Sequence, residues 1–253
     1  MLKSALWGLV QGLTEFLPIS SSGHLVLIPA LLGVDGPDLA TSAILHLGTL
    51  AALLWYYRRD LWLVVSAPRA PESRTIVMLL VIGSIPAGIV GLTLETPIEV
   101  IFTEPWIVAV SLMITGAVLA LASLLPQGER GIAQGTWRDG LMVGVAQAFA
   151  LLPGISRAGM TITGGLSAGF NPKEAARYAF LLGIPAIGAA GLREMIRLVD
   201  RGGFEPELLV GMVVAAVSGY AAIAMFIRLI QRIGLLPFAG YCVLFGGLSY
   251  VAL

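Results

Sequence analysis

Long apolar runs dominate the chain, and they lack the alternation of polar and apolar positions that marks a β-strand. A helix of about 20 apolar residues crosses the roughly 30 Å hydrocarbon core of a bilayer. The pattern therefore predicts six transmembrane helices, over residues 39–57, 75–94, 105–126, 175–192, 208–227 and 235–253. Polar loops are expected between them, among them residues 60–75, an acidic loop carrying Glu95, Glu99 and Glu104, and the connection 127–138.

Two further apolar stretches are interrupted near their middle by polar residues and a helix breaker, Pro18 in one and Pro153-Gly154 in the other. Each arm is near half the length that a spanning helix needs. The pattern favours two re-entrant helical hairpins, and the alternative for the first stretch is one kinked spanning helix. The arms are 4–14 and 20–34 around the first break, and 140–152 and 155–170 around the second.

The second half of the chain repeats the first at an offset of 136 residues, so that Gln11, for example, corresponds to Gln147. A hairpin followed by three spans inverts the next unit in the membrane, and inverted repeats with broken helices place a site at their interface. We therefore expect a single all-α polytopic membrane domain, 1–253, with repeats at 1–126 and 138–253. The matching pairs are Gly8/Gly144, Gln11/Gln147, Ile19/Ile155, Ser20/Ser156, Gly23/Gly159 and Gly33/Gly169.

Composition supports a membrane protein, because 57% of residues are hydrophobic, only 12% are charged and the mean hydropathy is +0.91. The net charge of zero gives no reason to expect a nucleic-acid partner. Cys242 is the only cysteine, which excludes an internal disulfide and a thiolate metal cluster. A cleaved signal peptide is disfavoured, because polar residues from Gln11 to Glu15 interrupt the first apolar run and no small-residue cleavage site follows.

Basic residues predict the orientation of the chain. In this topology one side carries ten Lys and Arg residues and the other carries four, so the first side is assigned to the cytoplasm and both termini to the outside. The ten are Arg58, Arg59, Arg69, Arg74, Arg130, Arg138, Lys173, Arg177, Arg228 and Arg232, and the four are Lys3, Arg193, Arg197 and Arg201.

Glu15 and Arg157 are the two charged residues predicted to lie away from loops and membrane ends. Glu15 precedes the first break and Arg157 follows the second, at equivalent depth in the two halves. If the hairpin tips meet, the two side chains share one buried site. The alternative is a purely structural ion pair that locks the repeats together.

Each break is followed by a helix start that is suited to an anion. Exposed N–H groups and the helix dipole at 20–23 and 156–159, with hydroxyls and the Arg157 guanidinium, favour phosphate. One of these serines can instead be an ordinary N-cap.

Gln11 and Glu15 lie four residues apart and share a helix face, so their oxygens can hold Mg²⁺. Gln11 can alternatively hydrogen-bond its repeat partner. His24 is a candidate acid or base for phosphoryl transfer, or else a hydrogen-bonded interior residue. His46 lies in the middle of a span, behind the site.

Two long motifs, residues 11–24 and 152–161, resemble those of the undecaprenyl-diphosphate phosphatase family of the bacitracin-resistance type, and the resemblance covers the whole chain. It implies a plasma-membrane hydrolase, open to the outer face, that removes the terminal phosphate of a C55 polyprenyl diphosphate. Expected partners are this lipid and the membrane, with a homodimer as an additional expectation.

The resemblance also implies roles for individual residues. The catalytic set is Glu15, Ser21, His24 and Arg157, and a divalent cation, Mg²⁺ or Ca²⁺, is expected at Gln11 and Glu15. Around the two helix starts, the predicted substrate-binding set is Ser20, Ser22, Gly23, Gly154, Ser156, Gly159 and Thr161.

The chain departs from the family pattern at two positions. Gln11 stands where many members have Glu, and Ala158 replaces a common Ser. A transporter or lipid flippase remains the alternative function, because inverted repeats serve transporters too. A type-2 phosphatidate phosphatase is excluded, because that class needs a second histidine downstream of Ser156-Arg157 and the last histidine is His46.

Overall fold

The computed structural model describes residues 1–101, 104–200 and 206–253. Over these residues the chain is helical, which confirms the predicted all-α class. Short turns connect most of the helices, and a longer connection, which contains the 3-10 helix Ile132–Gln134, precedes α8. The helices are α1 Leu2–Glu15, α2 Ser21–Leu32, α3 Leu39–Tyr56, α4 Arg58–Ser66, α5 Pro71–Thr93, α6 Glu95–Ile101, α7 Pro105–Ala122, α8 Trp137–Phe149, α9 Arg157–Ser167, α10 Pro172–Asp200, α11 Pro206–Ile233 and α12 Leu236–Ala252.

Four helices are long and apolar enough to cross a membrane, which agrees with a multi-pass membrane protein. They are Pro71–Thr93, Pro105–Ala122, Pro172–Arg193 and Pro206–Ile233. Three apolar helices are shorter, namely Ser21–Leu32, Thr41–Tyr56 and Leu236–Ala252.

Two of the predicted loops are wrong, because they contain short helices. The segment expected as a loop at 60–75 begins with α4, and the acidic segment after residue 94 forms α6. Asp60 in the first turn favours the start of α4 through the helix dipole. The first turn of α4 is charged, and the five residues after it are apolar.

The helices on either side of each break fold back on each other. Trp7 of α1 packs in a cluster with Leu25 of α2 and Leu45 of α3, which a single kinked helix would keep apart. In the second pair, a Cβ added to Gly164 of α9 would lie 3.2 Å from Cα of Val143 in α8. Both breaks therefore reverse the direction of the chain.

Close glycine crossings fix each folded-back pair against a helix of the other half. A Cβ on Gly8 would lie 2.2 Å from the carbonyl oxygen of Gly211, so α1 touches the backbone of α11. A Cβ on Gly144 would lie 2.7 Å from the carbonyl oxygen of Gly83, so α8 touches α5 in the same way. Small residues permit such approaches in membrane helices.

Candidate active site

The first break forms a tight turn between α1 and α2. Ser20 adopts a positive φ of 64°, unusual for a residue other than glycine, and its Oγ accepts a hydrogen bond from the Gly23 N–H at 3.2 Å. This serine is therefore the N-cap of α2. Its hydroxyl also lies 3.3 Å from that of Ser22.

The second break has the same plan with different chemistry. Gly154 adopts φ 88°, and a Cβ there would lie 2.3 Å from the Val108 carbonyl oxygen, so only glycine fits. Thr115 of α7 donates its hydroxyl to the Gly154 carbonyl and accepts the Ser156 N–H, both at 3.1 Å. Ser156 Oγ caps α9 by accepting the Gly159 N–H at 3.0 Å.

The two breaks meet inside the protein. A Cβ on Gly23 would lie 3.5 Å from Cα of Gly154, which places the two helix starts in contact. Nη2 of Arg157 donates to Oε1 of Glu15 at 2.6 Å, across 142 residues of sequence. The tips thus bring Glu15 and Arg157 together, as the expectation of a shared buried site requires.

The other oxygen of Glu15, Oε2, lies next to three further polar side chains. Ser21 Oγ donates to Oε2 at 2.5 Å and Gln11 Nε2 donates to it at 2.9 Å. His46 Nε2 lies 3.6 Å from the same oxygen, beyond hydrogen-bond length. One carboxylate therefore organises a guanidinium, a hydroxyl, an amide and an imidazole.

One nitrogen of the Arg157 guanidinium makes no hydrogen bond to the described residues. This nitrogen, Nη1, is buried. A Cβ on Gly183 of α10 would lie 2.1 Å from this nitrogen, so the glycine gives the guanidinium its room. Because an unpaired buried donor is costly, this nitrogen is a candidate to bind an oxygen of a phosphorylated ligand.

Both ring nitrogens of His24 are hydrogen bonded. Nδ1 donates to the Ser20 carbonyl at 2.8 Å, so in the neutral ring Nε2 accepts the hydroxyl of Tyr241, at 2.7 Å. The ring also stacks on Phe245 with centroids 5.0 Å apart. This geometry matches the hydrogen-bonded interior alternative, and an acid–base role for His24 remains a prediction.

The remaining predicted residues lie around this cluster. Thr161 donates its hydroxyl to the Arg157 carbonyl at 2.7 Å, within α9, and so supports that helix. Gln147 donates to the Gly83 carbonyl at 3.3 Å, while Gln11 pairs with Glu15. The alternative in which Gln11 hydrogen-bonds its repeat partner is therefore not what the structure has.

Sequence reasoning missed two contributors, Tyr241 and Gly183. Each lies in an apolar stretch of its helix, where a tyrosine or a glycine is ordinary. Only the three-dimensional contacts with His24 and Arg157 identify them.

The donor set around Glu15 fits a divalent cation. The Gln11 Oε1 atom is buried and has no hydrogen-bond partner among the described residues, and the Glu15 carboxylate lies beside its amide. Mg²⁺ is commonly held by one or two carboxylates together with phosphate oxygens of a substrate. Among the described residues no three His, Cys, Asp or Glu side chains cluster for a metal.

These features define a helical multi-pass membrane protein with a buried, charged site where two broken helices meet. The family model described as "Bacitracin resistance protein BacA" matches residues 4–248, and the chain belongs to this family. Three similar proteins carry the name undecaprenyl-diphosphatase. That of Geobacter metallireducens is 44% identical, covering 97% of this chain and 95% of its own. That of Myxococcus xanthus is 40% identical, covering 100% of this chain and 89% of its own. That of Micrococcus luteus is 41% identical, covering 100% of this chain and 96% of its own.

Proposed function

We infer that the chain is an undecaprenyl-diphosphatase, which hydrolyses undecaprenyl diphosphate to the monophosphate and inorganic phosphate. The observation that carries this inference is the Glu15–Arg157 pair at the meeting of two helix starts, with Ser21 on the same carboxylate. The relatives named for this activity cover nearly the whole chain at 40–44% identity. Such an activity recycles the lipid carrier of cell-wall polymers.

The geometry supplies the groups that a phosphoryl transfer needs. Arg157 Nη1 and the N-terminal ends of α2 and α9 would stabilise the charge on the phosphoryl oxygens. Ser21, or a water beside it, would attack the terminal phosphorus. Glu15 accepts the proton of the attacking hydroxyl, because Ser21 already donates to Oε2 at 2.5 Å. The bridging P–O bond breaks, and its electron pair leaves with the prenyl monophosphate. Attack by water releases inorganic phosphate directly, whereas attack by Ser21 forms a phosphoserine, whose Oγ–P bond a water then breaks to release the phosphate and restore the hydroxyl.

A divalent cation, Mg²⁺ or Ca²⁺, belongs to the same proposal. Gln11 Oε1 and the Glu15 carboxylate would hold it together with the diphosphate. When bound, the ion neutralises charge on the diphosphate.

We also propose the finer architecture of six spans and two re-entrant hairpins in inverted repeats. Two equivalent helix crossings support it, Gly8 of α1 on Gly211 and Gly144 of α8 on Gly83. Gly8 and Gly144 are 136 residues apart, which is the offset of the sequence repeat. The 17 residues of α12 and 18 of α3 are enough for a short span.

The proposed location is the plasma membrane, with the site reached from the outer face. The excess of basic residues in the loops assigned to the cytoplasm supports this orientation. In it, both hairpins approach the middle of the membrane from opposite sides, and the first one opens outward.

Phosphate release from undecaprenyl diphosphate by the purified protein tests the function. We expect Glu15→Gln, Arg157→Lys and Ser21→Ala each to lower kcat by about 10²-fold or more, because each removes a group that acts on the reacting atoms. Addition of a chelator should lower the rate, because it removes the proposed cation.

Matched controls make the same kinds of substitution, Glu to Gln and Ser to Ala, at positions outside the site. Glu129→Gln alters an exposed carboxylate, and Ser249→Ala alters a buried serine that donates to its own helix at Phe245. Both should keep the wild-type rate within about twofold. Wild-type turnover in Glu15→Gln and Arg157→Lys would refute the assignment. Lipid translocation in liposomes without phosphate release would favour the transporter alternative, which none of the named relatives supports.

A further inference from the structure

We propose that His46 is a third ligand of the divalent cation, through Nε2, beside Gln11 Oε1 and Glu15 Oε2. The inference rests on the cation of the proposed function and adds a ligand and a metal preference to it. The site would then offer one nitrogen and two oxygens, a set that favours a transition ion such as Mn²⁺ over Ca²⁺.

The ring of His46 is already oriented as metal-binding histidines are. Its Nδ1 lies 2.7 Å from the Ser42 carbonyl oxygen, which can only accept, so the proton is on Nδ1. Nε2 is then the nitrogen with the free lone pair. Metal-bound histidines commonly fix their other nitrogen on a backbone carbonyl in this way.

The free nitrogen faces the carboxylate at the distance that an intervening ion needs. Nε2 of His46 lies 3.6 Å from Oε2 of Glu15, which is too long for a hydrogen bond. Two donors bound to one ion at about 2.1 Å lie roughly 3.0–3.4 Å apart. A shift of a few tenths of an ångström therefore lets both atoms bind the same ion.

Gln11 can supply the third donor without moving its backbone. Its Nε2 donates to Glu15 Oε2 at 2.9 Å, while its buried Oε1 has no partner among the described residues. A half turn of the amide exchanges the two atoms and brings Oε1 next to Oε2 of Glu15, the oxygen that His46 Nε2 also approaches. Two acceptor oxygens at this distance repel each other unless a cation or a proton lies between them.

The charges around the site indicate when the ion binds. Arg157 neutralises Glu15 through Oε1, so a divalent ion would bring two uncompensated positive charges into a buried place. The two residues after His46, Leu47 and Gly48, meet Gly191 of α10 and the Met212 carbonyl of α11, and neither of these groups carries a charge. The ion should therefore bind tightly only together with a diphosphate, whose negative charge compensates it.

The direct test is spectroscopic and needs no turnover. Mn²⁺ is added to the full-length protein in detergent with methylenediphosphonate as the diphosphate probe, and electron spin-echo modulation reports nitrogen bound to the ion. We expect ¹⁴N modulation in the wild type and in His24→Gln, and its loss in His46→Gln. The dissociation constant for Mn²⁺ should rise at least about 10-fold in His46→Gln.

Isotope labelling removes the dependence on the His46 variant. The chain has two histidines, so His24→Gln labelled with [¹⁵N]histidine carries the label at His46 alone. We expect the ¹⁴N pattern to change to that of ¹⁵N. Absence of nitrogen modulation in the wild type, its survival in His46→Gln, or the absence of Mn²⁺ binding would each overturn the proposal.

The outcomes separate this inference from the proposed function. Hydrolysis by a wild type without nitrogen modulation refutes the His46 ligand alone. Nitrogen modulation without phosphate release refutes the hydrolase and leaves the metal site standing. A further variant, Gln11→Glu, should shift the preference from Mn²⁺ toward Mg²⁺ and Ca²⁺, because it replaces an amide oxygen with a charged one.

Discussion

At the scale of single residues, the two oxygens of Glu15 have separate tasks. Oε1 is held by Arg157, and Oε2 faces Ser21 and Gln11. Removing one partner of a buried ion pair leaves the other charge uncompensated, at a cost of about 3–5 kcal/mol. The structural ion pair considered from the sequence and the proposed reaction therefore use the same contact, since the pair both locks the tips and presents Oε2 to the hydroxyl.

The hydroxyl of Tyr241 should matter through the orientation of His24. Tyr241→Phe removes the hydrogen bond to Nε2 while the stacked ring remains. A net hydrogen bond is worth about 1 kcal/mol, so we expect kcat to fall about fivefold with KM little changed. Steady-state phosphate release measures both constants.

Tyr250→Phe is the matched control, because Tyr250 lies on the same helix with its side chain exposed. It should leave both constants at the wild-type values. An equal fall in the two variants would mean that α12 is simply sensitive to the loss of a hydroxyl, and that Tyr241 does not act through His24.

The site could be predicted as far as its residues violate the apolar pattern. Glu15 and Arg157 stand out because lipid penalises unpaired charges. Tyr241 and Gly183 do not stand out, since their partners are 217 and 26 residues away in sequence and neither residue type is anomalous in a membrane helix. Distant contacts of ordinary residues leave no local signal.

At the scale of elements, the two breaks are the best-predicted features. Proline and glycine set them locally, so the ends of the arms lie within a few residues of those expected. The helices α4 and α6 were missed because charged and proline-containing sequence next to a span resembles a loop.

The glycine crossings should limit the stability of the helix pairs. Gly8→Ala and Gly144→Ala would each press a methyl group against a backbone carbonyl of the opposing helix. We expect each to destabilise the protein by roughly 1–3 kcal/mol, as overpacking does, and to lower the thermal midpoint in detergent. Gly88→Ala, which meets nothing within 4 Å, is the control and should leave the midpoint unchanged or raise it.

The connection before α8 should make stability depend on pH. Burial raises the pKa of Asp139, but hydrogen bonds from Arg130 and Thr136 and the guanidinium charge outweigh burial and lower the pKa below its usual value. A carboxyl with a lowered folded-state pKa stabilises the fold above its unfolded value and loses this contribution as pH falls.

Asp139→Asn should therefore lower the thermal midpoint at pH 7, and the difference from the wild type should shrink as the pH falls below about 4. Melting curves at pH 7, 5 and 3.5 check this. A difference that is independent of pH would show that Asp139 contributes through its capping hydrogen bonds alone.

At the scale of the whole molecule, the side of the membrane from which the site is reached depends on the orientation of the chain. The pairing of each hairpin with a helix of the other half makes the site a product of both halves, so neither half holds it alone. Basic residues decide the orientation in physical terms, because the loops that carry them are retained in the cytoplasm.

Cysteine labelling checks the proposed orientation without altering the native thiol. Cys242 is fully buried, so it should not react with a membrane-impermeant maleimide. Asp35→Cys and Arg69→Cys place exposed thiols on loops that the proposal assigns to opposite sides. In intact spheroplasts we expect labelling of Asp35→Cys alone, and of Arg69→Cys only after the cells are opened, because the charge excess holds the second loop inside. Glu129→Cys, on another exposed loop assigned to the cytoplasm, should behave as Arg69→Cys does. The reverse pattern in all three variants would mean that the chain is inverted and that the site opens to the cytoplasm, where it would serve a different pool of lipid diphosphate.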